Sequence, residues 1–300
     1  MSPVTDSVEQ RIRAVFDAVG ARGFIHVREI GGAPGAAVDL DADAPVATAS
    51  VIKILVALAF ARRVAAGALD PTERVLVPER LRVGGPGTTG CLDPVEMSLR
   101  DLALLMMNVS DNAATDVVWD RAGWPAIGEI ITDLGLSATH VRANMATGHM
   151  RTVAALGLEG PRDLDAQIER ADETAVWSLG LIDPERANAS TPREIGRLLE
   201  AIWTDRAGPP QACAFVRSLM AQQVTTHRLA TGFDVPGVAV AGKTGTLPAI
   251  RNEAGVVAYP DGRRYVAAMF TRAESLADRR PDIDAAIGRA ARIAVDHLRS

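Results

Sequence analysis

Ser50 and Lys53 stand three residues apart at the head of an apolar run, Val51-Ile52-Lys53-Ile54-Leu55-Val56-Ala57-Leu58-Ala59-Phe60. In a helix that spacing puts both side chains on one face, about one turn apart. A hydroxyl at the start of a helix sits where the dipole favours a developing anion. An ammonium in an apolar run can escape its desolvation cost by giving up its proton, and a neutral amine is a usable base for a neighbouring hydroxyl. The same residues also fit an N-cap serine followed by a lysine that snorkels from a surface helix. One count weighs toward chemistry. Of 32 basic residues only Lys53 and Lys243 are lysines, and the arginines used elsewhere cannot deprotonate in a protein.

Two further motifs follow in order, Ser110-Asp111-Asn112 and Lys243-Thr244-Gly245. The first falls in a break between predicted helices, where an Asx-type turn and helix cap is the bland reading. The second ends a predicted strand. Together with Ser50-Val51-Ile52-Lys53, and with sixty residues from Ser50 to Ser110, the set resembles the signature of class A β-lactamases and penicillin-binding proteins. The resemblance runs from about residue 8 to 298 and includes Thr246, the Pro260-Asp261-Gly262 turn and a terminal helix.

The resemblance implies roles residue by residue. Ser50 is the nucleophile that becomes acylated, and Lys53 accepts or relays its proton. Ser110 shuttles a proton to the departing amine, while Lys243 keeps that region electropositive. Asn112 positions a substrate amide. Thr244, beside Gly245, binds a substrate carboxylate, and the backbone N–H groups of Ser50 and Thr246 form an oxyanion hole. Arg228 and Arg251 are candidates for a second carboxylate-binding cation; each reads equally well as a surface arginine.

The chain also departs from that family. The class A deacylating glutamate lies on a long loop in a Glu-x-x-Leu-Asn pattern, which is absent here. Glu173 is the nearest stand-in and Glu185 a poorer one. Asn188 stands where the family has an aspartate paired with an arginine at the loop's neck, which puts that ion pair in doubt.

The elements that must position these residues are legible in part. Helical periodicity covers 8–19, and strands are expected at 24–30 and 36–40. The Ser50 helix should end near Gly67. Ser98-Leu99-Arg100-Asp101 reads as a capping box opening a helix through Met107, and Thr191-Pro192-Arg193-Glu194 as a cap with a capping-box acid. Further helices are expected at 113–119, 124–135 and 211–223. Residues 70–97 read as a polar excursion, and 143–190 show no sustained period. Strands are expected at 237–244, 253–259 and 264–270, before a closing helix at 282–298. The fold class this implies is a β-lactamase/transpeptidase-like α/β architecture: an antiparallel sheet flanked by terminal helices, plus an all-helical subdomain. The expected division is 1–45 with 226–300 for the sheet and 46–225 for the helices.

Composition narrows the function. A net charge of −5 with no basic cluster argues against nucleic acid, and no apolar stretch approaches membrane-spanning length. The first ten residues lack the basic and apolar regions of a signal peptide, so Cys91 and Cys213 are read as free thiols in the cytoplasm. The five histidines show no metal spacing, and the implied mechanism needs neither metal nor cofactor. The expected partner is a small molecule with an acyl group and a carboxylate. The function implied first is a serine hydrolase acting as a class A-like β-lactamase on the β-lactam amide; the alternatives are a cytosolic amidase, esterase or biosynthetic acyltransferase, and a penicillin-binding sensor that does not turn over.

Overall fold

The computed structural model describes residues 6–160 and 164–300; the reading of residues 1–5, and the part of 143–190 that falls on 161–163, lie outside them. In chain order, α1 (Val8–Asp17) leads into β1 (Ala21–Glu29) and β2 (Val38–Leu40). A short β3 (Val46–Ala47) and a 3-10 turn at Ala49–Ile52 enter α2 (Lys53–Ala65). Then come β4 (Arg74–Leu76), β5 (Glu96–Ser98), α3 (Leu99–Asn108), α4 (Asn112–Ala122) and α5 (Trp124–Asp133). The stretch without a period holds α6 (Met145–Ala155), α7 (Leu164–Arg170) and α8 (Glu173–Trp177). After β6 (Ala189–Ser190) follow α9 (Pro192–Trp203), α10 (Pro210–Met220), β7 (Ala239–Leu247), β8 (Ile250–Ala258), β9 (Arg264–Ala273) and α11 (Pro281–Arg299).

Five strands make one antiparallel sheet in the order β2-β1-β9-β8-β7. Both faces are covered. Val257 and Met269 point into the core under α1 and α11, with Phe16 and Ile287, while their neighbours Val256 and Phe270 point into the core around α2. Successive strand residues face opposite sides, so a sheet buried on both faces reads as an unbroken apolar run. The helical part also carries two small sheets, β3 with β6 and β4 with β5.

α2 is the central rod of that helical part. Residues 53–61 are all buried, as expected of a helix that is apolar on every side. α4, α5 and α10 pack around it.

Two capping readings need correction. Ser98 Oγ accepts the Asp101 N–H at 3.3 Å, but its hydroxyl donates to the Asp101 carboxylate at 2.6 Å, leaving only half a capping box. Thr191 caps α9, yet Glu194 turns away to accept from Ala138 N–H at 2.9 Å and Thr139 Oγ1 at 2.6 Å. A buried carboxylate goes where unpaired donors are, and here those lie on the loop after α5. The full reciprocal box is at α1, between Ser7 and Gln10.

Candidate functional site

Ser50 sits in the 3-10 turn and Lys53 is the first residue of α2. Neither caps the helix, since no side-chain cap bond forms there. Lys53 is fully buried, so it does not snorkel. Its Nζ reaches the break between α3 and α4, at 2.7 Å from Ser110 O, 3.1 Å from Ser110 Oγ and 2.8 Å from Asn112 Oδ1. All three partners are neutral. A buried charge costs several kcal/mol in lost hydration, and neutral hydrogen bonds return about 1 kcal/mol each. Burial accordingly pushes the Lys53 amine well below its ordinary range; the Lys243 charge adds to the shift, and Asp111 and Asp116 oppose it.

The Ser-Asp-Asn motif divides its labour. Asp111 is the structural member, fully buried, accepting from Ala114 N–H at 2.9 Å as the cap of α4 and from Thr88 N–H at 2.6 Å. The turn-and-cap reading therefore holds for Asp111, while Ser110 and Asn112 face Lys53. Ser110 has φ +65°, Ala49 +49° and Ala249 +57°. Such left-handed conformations cost non-glycine residues of order 1–3 kcal/mol and cluster at functional sites. All three line the same cleft.

β7 brings the third motif. It is the edge strand, and Thr244 N–H leaves the sheet to donate to Gln223 Oε1 at 2.6 Å. Strand alternation then points the Thr246 N–H off that same free edge. Gly245 permits the approach: a Cβ there would lie 2.8 Å from Thr48 O and 3.1 Å from Ser50 N. Lys243 is buried, donates to Thr244 O at 3.0 Å, and is lowered to about 7 by burial, with Glu253 opposing and Arg228 adding to the shift.

The surface reading of Arg228 is incorrect. It is buried, binding Asp284 Oδ1 at 2.6 Å, Gly245 O at 3.0 Å, Asn252 O at 2.8 Å and Thr246 Oγ1 at 2.8 Å. It holds β7 in place. Arg251 pairs across strands with Thr246 and is half-buried on the wall of a cleft of about 1490 Å³ that also holds Ser50, Ser110 and Asn112. Burial lowers its guanidinium below the ordinary value.

The chain's sequence agrees with this geometry. The profile of the beta-lactamase enzyme family matches residues 7–298. The chain belongs to that family. The beta-lactamase regulatory protein BlaB of Streptomyces cacaoi is 30% identical over 314 residues, covering 98% of each chain. The beta-lactamase of Sphaerobacter thermophilus DSM 20745 has the same fold, with a TM-score of 0.77, 24% identity, and 97% and 96% of the two chains covered. A mutant of PBP-A, solved as an acyl-enzyme complex with penicillin G, has a TM-score of 0.75 at 21% identity, with 97% of each chain covered.

Within this beta-lactamase enzyme family member, the loop after α5 departs from an ion-paired neck. The neck forms between Arg142 and Asn188 through hydrogen bonds alone. Asn188 Oδ1 accepts from Arg142 N–H at 2.7 Å and Ala143 N–H at 3.1 Å, its Nδ2 donates to Ala143 O at 2.8 Å, and Arg142 Nη1 donates to Ala187 O at 2.7 Å. Glu173 lies on the cleft wall but is exposed and makes no hydrogen bond to Ser50, Lys53 or Asn112 among the described residues. Glu185 is exposed outside the cleft lining. Sequence reasoning missed Arg142, Gln223, Asp116 and His149: Asp116 and Gln223 fall within expected helices but outside any motif, and His149 lies in the stretch without a period. Cys91 is exposed and Cys213 buried, both free thiols. Among the described residues no helix is long and apolar enough to cross a membrane.

Proposed function

We propose that this protein is acylated on Ser50 by β-lactam-like substrates and releases the acyl group slowly, in a sensing or regulatory role. The observation that carries this reading is the neighbourhood of Lys53, whose three hydrogen-bond partners come from Ser110 and Asn112, with no ion-paired carboxylate among the described residues. Neutral Lys53 takes the Ser50 proton as Oγ attacks the carbonyl carbon. The Ser50 and Thr246 N–H groups hold the oxyanion. As the C–N bond breaks, Ser110 passes a proton to the amine and is replenished from Lys53. Thr244 and Arg251 take the substrate carboxylate, and buried Lys243 keeps that region electropositive from behind. Among the described residues no carboxylate is hydrogen-bonded to Ser50 or Lys53 to activate water afterwards. The resemblance to a regulatory relative fits that asymmetry.

Glu169 and Glu173 line the same cleft, which favours a second reading: a hydrolytic β-lactamase in which the loop closes onto the acyl-enzyme. Intact-protein mass spectrometry with benzylpenicillin and a chromogenic cephalosporin separates the two. A long-lived adduct on Ser50, lost in Ser50→Ala, is expected. Rapid product release would move the assignment to a β-lactamase. No adduct, with cleavage of simple esters, would replace the β-lactam by another acyl donor.

A further inference from the structure

His149 is a cleft-lining group that this mechanism leaves without a task. It stands on α6, whose first turn is pinned to α4: Asp116 accepts from Met145 N–H at 2.8 Å and Ala146 N–H at 2.7 Å. Asp116 lies one turn beyond Asn112 on α4, and His149 one turn beyond Met145 on α6. The imidazole therefore belongs to the same rigid block as the partners of Lys53. Its Nδ1 is sealed from solvent and has no hydrogen-bond partner among the described residues. Nε2 is the ring nitrogen left to the cleft that the side chain lines.

That surrounding selects a tautomer. A proton on Nδ1 would be a buried donor without an acceptor, which proteins tolerate less well than a bare acceptor. The proton thus belongs on Nε2, where it points into the cleft. Burial, with the Lys53 charge adding to it, lowers the ring to about 4, so it is neutral at pH 7. Lys53 on α2 is the titratable group that acts on the ring; Asp116 on α4 pins its helix, and Arg151, Glu169, Glu173 and Arg186 line the same cleft. None makes a hydrogen bond to the ring. Beside it there is room: nothing lies within 4 Å of the position a Cβ on Gly148 would take, and Gly148 also lines the cleft.

We propose that His149 is a specificity-determining residue whose Nε2–H donates to a neutral acceptor, an amide carbonyl, on the acyl side chain of the substrate. This inference rests on the acylation of Ser50 proposed above. A substrate would then be read at its carboxylate by Thr244 and Arg251 and at its side-chain amide by Asn112 and, from α6, by His149.

The test compares acylation by benzylpenicillin, which carries a side-chain amide, with acylation by 6-aminopenicillanic acid, which does not. In His149→Leu the second-order acylation rate for benzylpenicillin should fall about ten-fold, the size of one neutral hydrogen bond, while that for 6-aminopenicillanic acid holds. His149→Gln retains a donor and should recover part of the loss, which a purely structural role would not predict. An equal fall for both substrates, or no fall for either, would overturn the assignment to His149 while leaving Ser50 acylation standing. If His149→Leu does not fold, His149→Ala takes its place: a fall for benzylpenicillin alone supports the proposal, and an equal fall for both substrates or none for either overturns it. Absence of any Ser50 adduct in the wild-type protein would overturn both readings together.

Discussion

Lys53 Nζ lies 2.7 Å from the main-chain oxygen of Ser110 and 3.1 Å from its hydroxyl. With two hydrogens committed to Ser110 O and Asn112 Oδ1, a neutral amine keeps one lone pair, and the Ser110 hydroxyl can donate to it. In the proposed mechanism, proton acceptor and proton shuttle are thus one hydrogen-bonded unit. Lys53→Arg puts a fixed charge in place of a neutral amine and cannot act as base, so acylation should slow by about 10²–10⁴-fold. Stopped-flow acylation measures this directly, and a loss below ten-fold would remove Lys53 as the base.

Gly245→Ala tests the seating of β7 on the Ser50 turn. The added Cβ would meet Thr48 O at 2.8 Å, Ala49 Cβ at 3.0 Å and Ser50 N at 3.1 Å. Overpacking of this kind costs about 1–3 kcal/mol, and a shift of the nucleophile turn by about 1 Å costs on the order of 10²-fold in rate. Thermal denaturation and acylation rates should both fall. A variant with wild-type acylation would show that this approach does not govern Ser50.

Lys243 makes substrate recognition depend on pH. Its value of about 7 means the ammonium is lost as pH rises through neutrality. Acylation efficiency for a carboxylate-bearing β-lactam should therefore drop above about pH 7. A bound carboxylate holds the proton on, so the saturated rate should stay flat through the same range. An uncharged aryl ester should show no such limb. A limb common to both substrates would assign it to another group.

Asp116 gives a stability test. Burial raises its carboxyl to about 6, with Asp120 adding to the shift and the Met145 and Ala146 N–H groups opposing it. The folded state then binds the proton more tightly than the unfolded chain, so this group favours folding below about pH 4 and loses that contribution as pH rises through about 6. Asp116→Asn keeps an acceptor and abolishes the titration. Measured against wild type by denaturant unfolding, it should gain up to about 3 kcal/mol between pH 4 and pH 6. A pH-independent difference would refute the shift.

Much of this was legible before any coordinates. β8 and β9 were legible because they are buried on both faces and so carry the apolar runs 254–258 and 265–270. α6, α7 and α8 were not, because helices on the rim of a cleft bury little; α6 has only Thr152 and Val153 buried. Glu194 misled for a related reason. Its spacing fits a capping box, but a local pattern cannot register the Ala138 and Thr139 donors that claim it from 55 and 56 residues away.

By itself the sequence determined the chemical inventory and its order: a serine and a lysine on one turn, a Ser-Asp-Asn break, a Lys-Thr-Gly strand, and no glutamate in the class A pattern. Those are local facts, carried by residue type and spacing. Only the tertiary structure decided which groups meet. Burial of Lys53 against three neutral partners, Arg228 as a buried strut behind β7, and an unclaimed imidazole beside Gly148 all arise from segments far apart in the chain. Desolvation sets the protonation of Lys53 and His149, and desolvation exists only once the chain has closed around them.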